Sequence, residues 1–196
     1  MRANEKTRRL TGLALMTAII IVLQVVASFI KFGPFTITLA LAPIIIGAAL
    51  YGAGAGAWLG GVFGVVVLIA CVAGWDAGGN ILFTANPLLT AALCIVKGAA
   101  AGFVSGLVFR GLSRRSPMGA AIIAGIVCPV VNTGIFVAAL ILLFPDTLTA
   151  WATAEGKDIV TYVILVLTGV NFVLELAINL VLSTVIARVV GVRKQS

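Results

Sequence analysis

The chain has 196 residues, of which 62% are apolar and only 10% charged, and its mean hydropathy is +1.24. That composition excludes a water-soluble domain and places most of the surface against lipid. The net charge of +7 would suggest nucleic acid as a partner for a soluble protein. Here the basic residues sit at the ends of apolar runs, which is the positive-inside pattern of a membrane protein and excludes a nucleic-acid-binding stripe.

The apolar runs are long and continuous, not alternating. Hydrocarbon leaves no partner for a free backbone amide, so these runs predict helices rather than barrel strands. Span 1 is predicted over residues 10–30, behind a basic N-terminus carrying Arg2, Lys6, Arg8 and Arg9. The run is about twenty residues long with no small-residue cleavage site behind it, so it reads as a retained span and not as a signal peptide. A turn-forming stretch with Gly33 and Pro34 follows. Span 2, residues 37–51, is short and contains Pro43, which predicts a tilted, broken or partly enclosed helix. Span 3 covers residues 53–73, and residues 74–85 form a loop. Span 4 covers 86–109, a basic loop follows, span 5 covers 118–144, and an acidic segment (145–158) leads to span 6 over 159–190 and a basic tail. The expected fold is thus a single all-α integral membrane domain, residues 1–196, with six transmembrane helices and no internal repeat.

One set of loops carries Arg2, Lys6, Arg8, Arg9, Arg110, Arg114, Arg115, Arg188, Arg193 and Lys194, whereas the other carries only Lys31 and Lys157 among cations, with Asp76, Asp146, Glu155 and Asp158. This asymmetry places both termini in the cytoplasm of a bacterial plasma-membrane protein and agrees with an even number of crossings. Gly52, Gly56, Gly60 and Gly64 recur every four residues in span 3, and Gly98, Gly102 and Gly106 repeat the device in span 4. Faces without side chains allow close backbone approach, so both are expected to be packing ridges. Ala14 and Ala18 form a similar small-residue pair in span 1, open to either internal packing or a partner protein.

Ionisable groups at membrane depth are costly, and each is a functional-site hypothesis. The spans hold two, Lys97 and Glu175. By helical rise they lie roughly 16 Å and roughly 24 Å from the outer ends of their spans, a common mid-bilayer depth at which they can pair. Asn132 in span 5 falls roughly 18 Å from its outer end, and Asn171, Glu175 and Asn179 share one face of span 6. Two readings stand side by side: an outward-opening polar pocket, and a Lys97–Glu175 ion pair with asparagine cross-links that only fixes the bundle. Gln24 and Asn86 are expected at a pocket mouth, and Trp75 and Phe83 as a cap or as part of the interfacial aromatic belt.

The sequence has no histidine, and its three aspartates fall outside the spans. This removes Ser-His chemistry, His-ligated zinc and an intramembrane aspartyl dyad. It also lacks G-x-x-x-x-G-K-[ST], so any ATP must be hydrolysed by a partner. The chain therefore reads as a non-enzyme, with no metal and no cofactor. Cys71, Cys94 and Cys128 lie in apolar runs without pairing or metal spacing and read as small buried hydrophobes.

Over nearly its whole length the chain resembles the substrate-binding S components of energy-coupling factor (ECF) vitamin transporters. The resemblance rests on the order and spacing of the basic N-terminus, Phe32-Gly-Pro-Phe35, Leu41-Ala-Pro-Ile44, the glycine-rich stretch from Ile46 to Ala57, Lys97-Gly98 through Gly106-Leu-Val-Phe-Arg110, and Val130-Val-Asn-Thr-Gly134. It implies six spans and tight binding of one vitamin or related micronutrient in a pocket built by spans 4 to 6 and closed by outer loops. It also implies docking on a transmembrane T subunit with two cytoplasmic ATPases, followed by toppling in the bilayer. The family's small-x-x-x-small docking motif in span 1 matches Ala14 and Ala18. Lys97, Asn132, Asn171 and Glu175 carry over as substrate-binding residues by location and chemistry. A mid-depth lysine suits an anionic ligand such as pantothenate better than the large stacked ring of riboflavin or folate. The competing readings are an ion-coupled secondary carrier using Glu175 and a structural membrane protein.

Overall fold

The computed structural model describes residues 2–32, 35–36, 38–169 and 172–181. In chain order these form α1 (Arg2–Ala27), a minimal antiparallel pair β1 (Lys31–Phe32) and β2 (Phe35–Thr36), α2 (Leu41–Tyr51), α3 (Ala53–Val72), α4 (Ala77–Ala85), α5 (Pro87–Leu112), α6 (Pro117–Leu143), α7 (Pro145–Ala154) and α8 (Ile159–Tyr162). A π-helical stretch, Val163–Gly169, continues α8, and a further helix, α9, covers 172–181. Helix starts follow local chemistry. Asp76, Asn86, Ser116 and Asp158 each cap the helix that follows by accepting an amide three residues on, and Pro87 and Pro117 occupy first-turn positions where no amide donor is needed. At Asp158 the amide and hydroxyl of Thr161 both donate to the carboxylate, and these bonds hold the exposed carboxyl below its ordinary pKa.

Among the described residues five helices are long and apolar enough to cross a membrane: Glu5–Ala27, Ala53–Val72, Pro87–Leu112, Pro117–Leu143 and Ile159–Val181. The predicted span 2 departs from the rest. Helix begins only at Leu41, and eleven residues reach about 16 Å, half of a hydrocarbon core of about 30 Å. Pro43 sits in the first turn and leaves the helix unbroken. Leu41, Ala42, Pro43, Ile44, Ile45, Gly47 and Ala48 are buried, so this short helix is enclosed by protein. The segment 74–85, expected as a loop, is largely α4, and most of the acidic segment 145–158 is α7. The last span is described to residue 181, so the basic tail with Arg188, Arg193 and Lys194 lies outside the described residues.

The glycine ridges pack on each other. Gly56 lies against the backbone of Gly102, Gly60 against Gly98, and Gly64 against Cys94 and Ile95, a pairing that runs α3 and α5 antiparallel with their main chains in contact. Gly106 faces Ala53 at the end of the same seam. Gly52, expected as the ridge's first member, instead makes the turn between α2 and α3 with φ +94°, a conformation that favours glycine, and nothing lies against its face. Ile20, Ile44, Ile45, Leu59, Phe63, Ala101, Ala120, Ala124 and Cys128 form the core around this seam. A second cluster, with Leu82, Leu93, Leu140, Phe144, Leu148 and Tyr162, gathers where α4 and α7 lie. At the opposite end Arg9 donates to the Tyr51 carbonyl (3.2 Å), tying the start of α1 to the end of α2.

A side chain at Gly60 would meet the carbonyl of Gly98, a backbone atom that cannot swing away, whereas the adjacent Gly61 has open space. Gly60→Leu is therefore expected to cost at least about 1–3 kcal/mol and to lower the detergent-solubilised melting temperature by several degrees. Gly61→Leu should leave it within about a degree. Equal melting of the two variants in a thermal-shift assay would contradict the seam.

Candidate functional site

A cavity of about 70 Å³, with room for several water molecules, opens at the end of the bundle that carries the β1–β2 pair and α4. Its wall draws on more helices than the last three spans. Gln24 comes from α1, Thr36 and Thr38 from the segment before α2, Phe63, Val67 and Cys71 from α3, and Asp76 and Gly79 from the start of α4. Thr90, Cys94 and Lys97 come from α5, Asn132, Thr133 and Phe136 from α6, and Leu167, Phe172 and Glu175 from the last span. The expectation of a pocket built by spans 4 to 6 is thus too narrow. Span 3 contributes because the glycine seam draws α3 against α5, and span 1 adds Gln24.

Asp76 organises the rim. Its carboxylate accepts from the amide of Thr36 (3.1 Å), the hydroxyl of Thr36 (2.9 Å) and the amide of Gly79 (2.6 Å), joining β2 to the N-terminus of α4. Gly79 is required there, since a side chain would run into the thiol of Cys71. Trp75 packs its ring on Phe29, centroids 5.5 Å apart, beside this link and not in the cavity wall. Asn86 likewise does not line the cavity. Its side chain accepts from the Leu89 amide (3.1 Å) as the cap of α5, and that capping role explains its position.

Deeper in, the Lys97 ammonium lies over the ring of Phe136, 4.8 Å from the centroid. It makes no ion pair with Glu175. Among the described residues the ion pair within 4.0 Å is Lys157–Glu155, at the surface. The reading in which Lys97 and Glu175 neutralise each other as a packing device is therefore not what the structure contains. Glu175 is 5% exposed, with its carboxylate facing Thr38 and one oxygen, Oε2, without a partner. Gln24 Oε1, Asn132 Oδ1 and Thr90 Oγ1 are also buried without a hydrogen-bond partner. A buried polar atom in that state costs about 1–3 kcal/mol, and four of them lie around this one cavity. Asn132 follows Pro129, which removes one rung of the α6 hydrogen-bond ladder just before it.

Of the residues singled out in the sequence, Gln24, Lys97, Asn132 and Glu175 share the cavity. Asn179 does not join them: it donates to the Glu175 carbonyl (2.8 Å) along its own helix. Asn171 lies outside the described residues. Thr36, Thr38, Thr90 and Asp76 were missed. Asp76 was legible only as an outer-loop charge, although an Asp three residues before Gly79 is a helix-start signal. All three cysteines are buried and free, as expected, yet Cys71 and Cys94 bring their thiols together in the cavity wall, which their separate apolar runs did not suggest. Ala14 and Ala18 are exposed on α1, a helix whose apolar stretch is mostly uncovered by the rest of the chain.

A search of curated proteins finds no match. A family model described as "ECF transporter, substrate-specific component" matches residues 8–187, nearly the entire chain. Members of this family are membrane subunits of vitamin and micronutrient uptake systems and not enzymes, which agrees with the apolar helices. The chain belongs to the ECF transporter substrate-specific components.

Proposed function

We propose that the cavity is the vitamin site of this S component, opening to the cell exterior with both termini in the cytoplasm, and that Gln24, Lys97, Asn132 and Glu175 hold the ligand. The observation that carries this is the set of buried, unpartnered polar atoms around a void that also holds an unpaired ammonium. Lys97 supports an anionic ligand, because a carboxylate entering a low-dielectric cavity gains a charge-assisted hydrogen bond there. Pantothenate is the leading candidate. A riboflavin- or folate-type ring is less suited, since the aromatic side chains in the wall are Phe63, Phe136 and Phe172, and Phe136 already carries Lys97.

Energy for uptake comes from outside the chain, from a T subunit and two cytoplasmic ATPases. The exposed Ala14/Ala18 face of α1 supports a docking role, because small residues let a partner helix approach to backbone distance. A second reading follows from the buried, partly unpartnered carboxylate of Glu175: an ion-coupled carrier that protonates or binds sodium there.

Mass spectrometry of small molecules retained by the detergent-purified protein is expected to return a single carboxylate-bearing micronutrient. In isothermal titration with pantothenate, Lys97→Met should weaken binding about 10- to 100-fold and Asn132→Ala about 10-fold, with melting temperatures near that of the unmodified protein. Unchanged affinities would remove both residues from the site. Ala14→Leu with Ala18→Leu should leave that affinity intact while abolishing co-purification with a T subunit, and retained co-purification would place docking elsewhere. Uptake into vesicles that lack any ATPase but carry an ion gradient would favour the carrier reading instead.

A further inference from the structure

Two thiols stand in the cavity wall, outside the set of side chains assigned to the ligand. Cys71, near the end of α3, and Cys94, on α5, bring their sulfurs together there, in side chains 2% and 4% exposed. Their backbones are not level. The main chain at Cys94 packs against Gly64, and Cys71 lies seven residues beyond Gly64, about 10 Å further along the axis of α3. Side chains lean toward the N-terminus of their own helix, and α3 and α5 run antiparallel, so the two thiols lean toward each other across that gap. From α4, Gly79 closes on the Cys71 thiol, since a Cβ there would run into Sγ, and this holds the sulfur in place. A disulfide needs Cα atoms within about 7 Å. The glycine seam keeps these two further apart, so the tips meet while the backbones cannot close.

Such a pair suits a bridging ion. Thiolates are soft ligands that favour Cu⁺ over hard cations, and the wall offers two of them and no histidine. Asp76, the carboxylate closest to them in the chain, is already taken up by Thr36 and Gly79. Among the described residues no group of three or more His, Cys, Asp or Glu could hold a metal, so four-coordinate zinc lacks its ligand set. A second feature points the same way. Thr90, one turn before Cys94 on the same face of α5, lines the cavity with its hydroxyl buried and unpartnered, whereas Thr84, Thr149 and Thr153 each give theirs to the carbonyl four residues back.

We propose that Cys71 and Cys94 form a two-sulfur site for a soft monovalent d10 cation, Cu⁺ or Ag⁺. Binding involves no electron transfer: each thiol releases its proton, each sulfur gives a lone pair to the ion, and the bis-thiolate complex carries one net negative charge. Lys97, three residues after Cys94 and in the same wall, supplies the countercharge. The Thr90 hydroxyl gains a charged acceptor in place of a weak one. The site does not depend on which organic ligand the cavity takes.

The test titrates Cu⁺ into the reduced, full-length protein in detergent without oxygen, in competition with a colorimetric Cu⁺ chelator. One ion per chain is expected, with two sulfur neighbours in the copper X-ray absorption spectrum. Cys71→Ser and Cys94→Ser should each weaken binding by more than about 100-fold, beyond the loss that outer-shell changes cause, and Lys97→Met by about 10-fold. Cys128→Ser, in the core around the glycine seam and not in the cavity wall, should bind as the unmodified protein does. Thermal shift checks that each variant folds, and Cys71→Ala or Cys94→Ala replaces a serine variant that does not. Binding that survives in the double variant of Cys71 and Cys94, or a metal shell without two sulfurs, would overturn the proposal. So would a Cys71–Cys94 disulfide formed under mild peroxide, read by mass spectrometry as the loss of two hydrogens, because it would place the two backbones closer than the seam sets them.

Discussion

The contact between α3 and α5 sets the geometry of the rest of the bundle. Gly56, Gly60 and Gly64 meet Gly102, Gly98 and the backbone at Cys94, so two main chains touch with no side chains between them. In lipid there is no hydrophobic drive to bring helices together, because acyl chains are as apolar as leucine. Close packing has to supply the attraction, and it is strongest where side chains are absent. This seam aligns Phe63, Val67 and Cys71 of α3 with Cys94 and Lys97 of α5 as two walls of one cavity. The short, buried α2 packs beside the same seam, with Ala48 against Gly56 and Ile44 against Gly102.

Membrane depth gives the polar wall its meaning. In water, Gln24, Asn132 and Glu175 would be solvated at little cost. Within an apolar bundle each unpartnered oxygen is a standing penalty. Among the described residues several of them gather at one place, whereas other polar groups are satisfied through caps such as Asp76, Asn86, Ser116 and Asp158 and through Ser28 and Ser105, which donate to backbone carbonyls. Asp76 shows both habits in one residue: it caps α4 and fastens β2, so the rim of the cavity is tied to a helix terminus by a group that is itself fully used.

Span 1 carries both a cavity residue and an exposed small-residue face. Gln24 is buried in the cavity wall, while Ala14 and Ala18, two to three turns earlier, are exposed on the same helix. A single helix that lines the cavity at one level and faces outward at another joins the cavity wall to the outer surface of the bundle without any further element.

Composition and local pattern by themselves determined that the chain lives in lipid, where its long helices run, that glycine faces would pack, and that Lys97, Asn132 and Glu175 sit at depth. These follow from solvent exclusion and the 3.6-residue period, which act along the chain. Only the tertiary structure decided which polar groups meet. Helical spacing put Asn179 on the face of Glu175, yet its amide is spent on a carbonyl one turn away; it put Lys97 and Glu175 at pairing depth, yet Lys97 settles on Phe136. Asn86 looked like a mouth residue and is a helix cap, Trp75 looked like a cap or an interfacial aromatic and is a ring partner of Phe29, and Asp76 looked like a loop charge and holds the rim. Such outcomes depend on where separate helices stand relative to one another, and that is set by the backbone contact of α3 with α5, across more than thirty residues of chain, which no local pattern encodes.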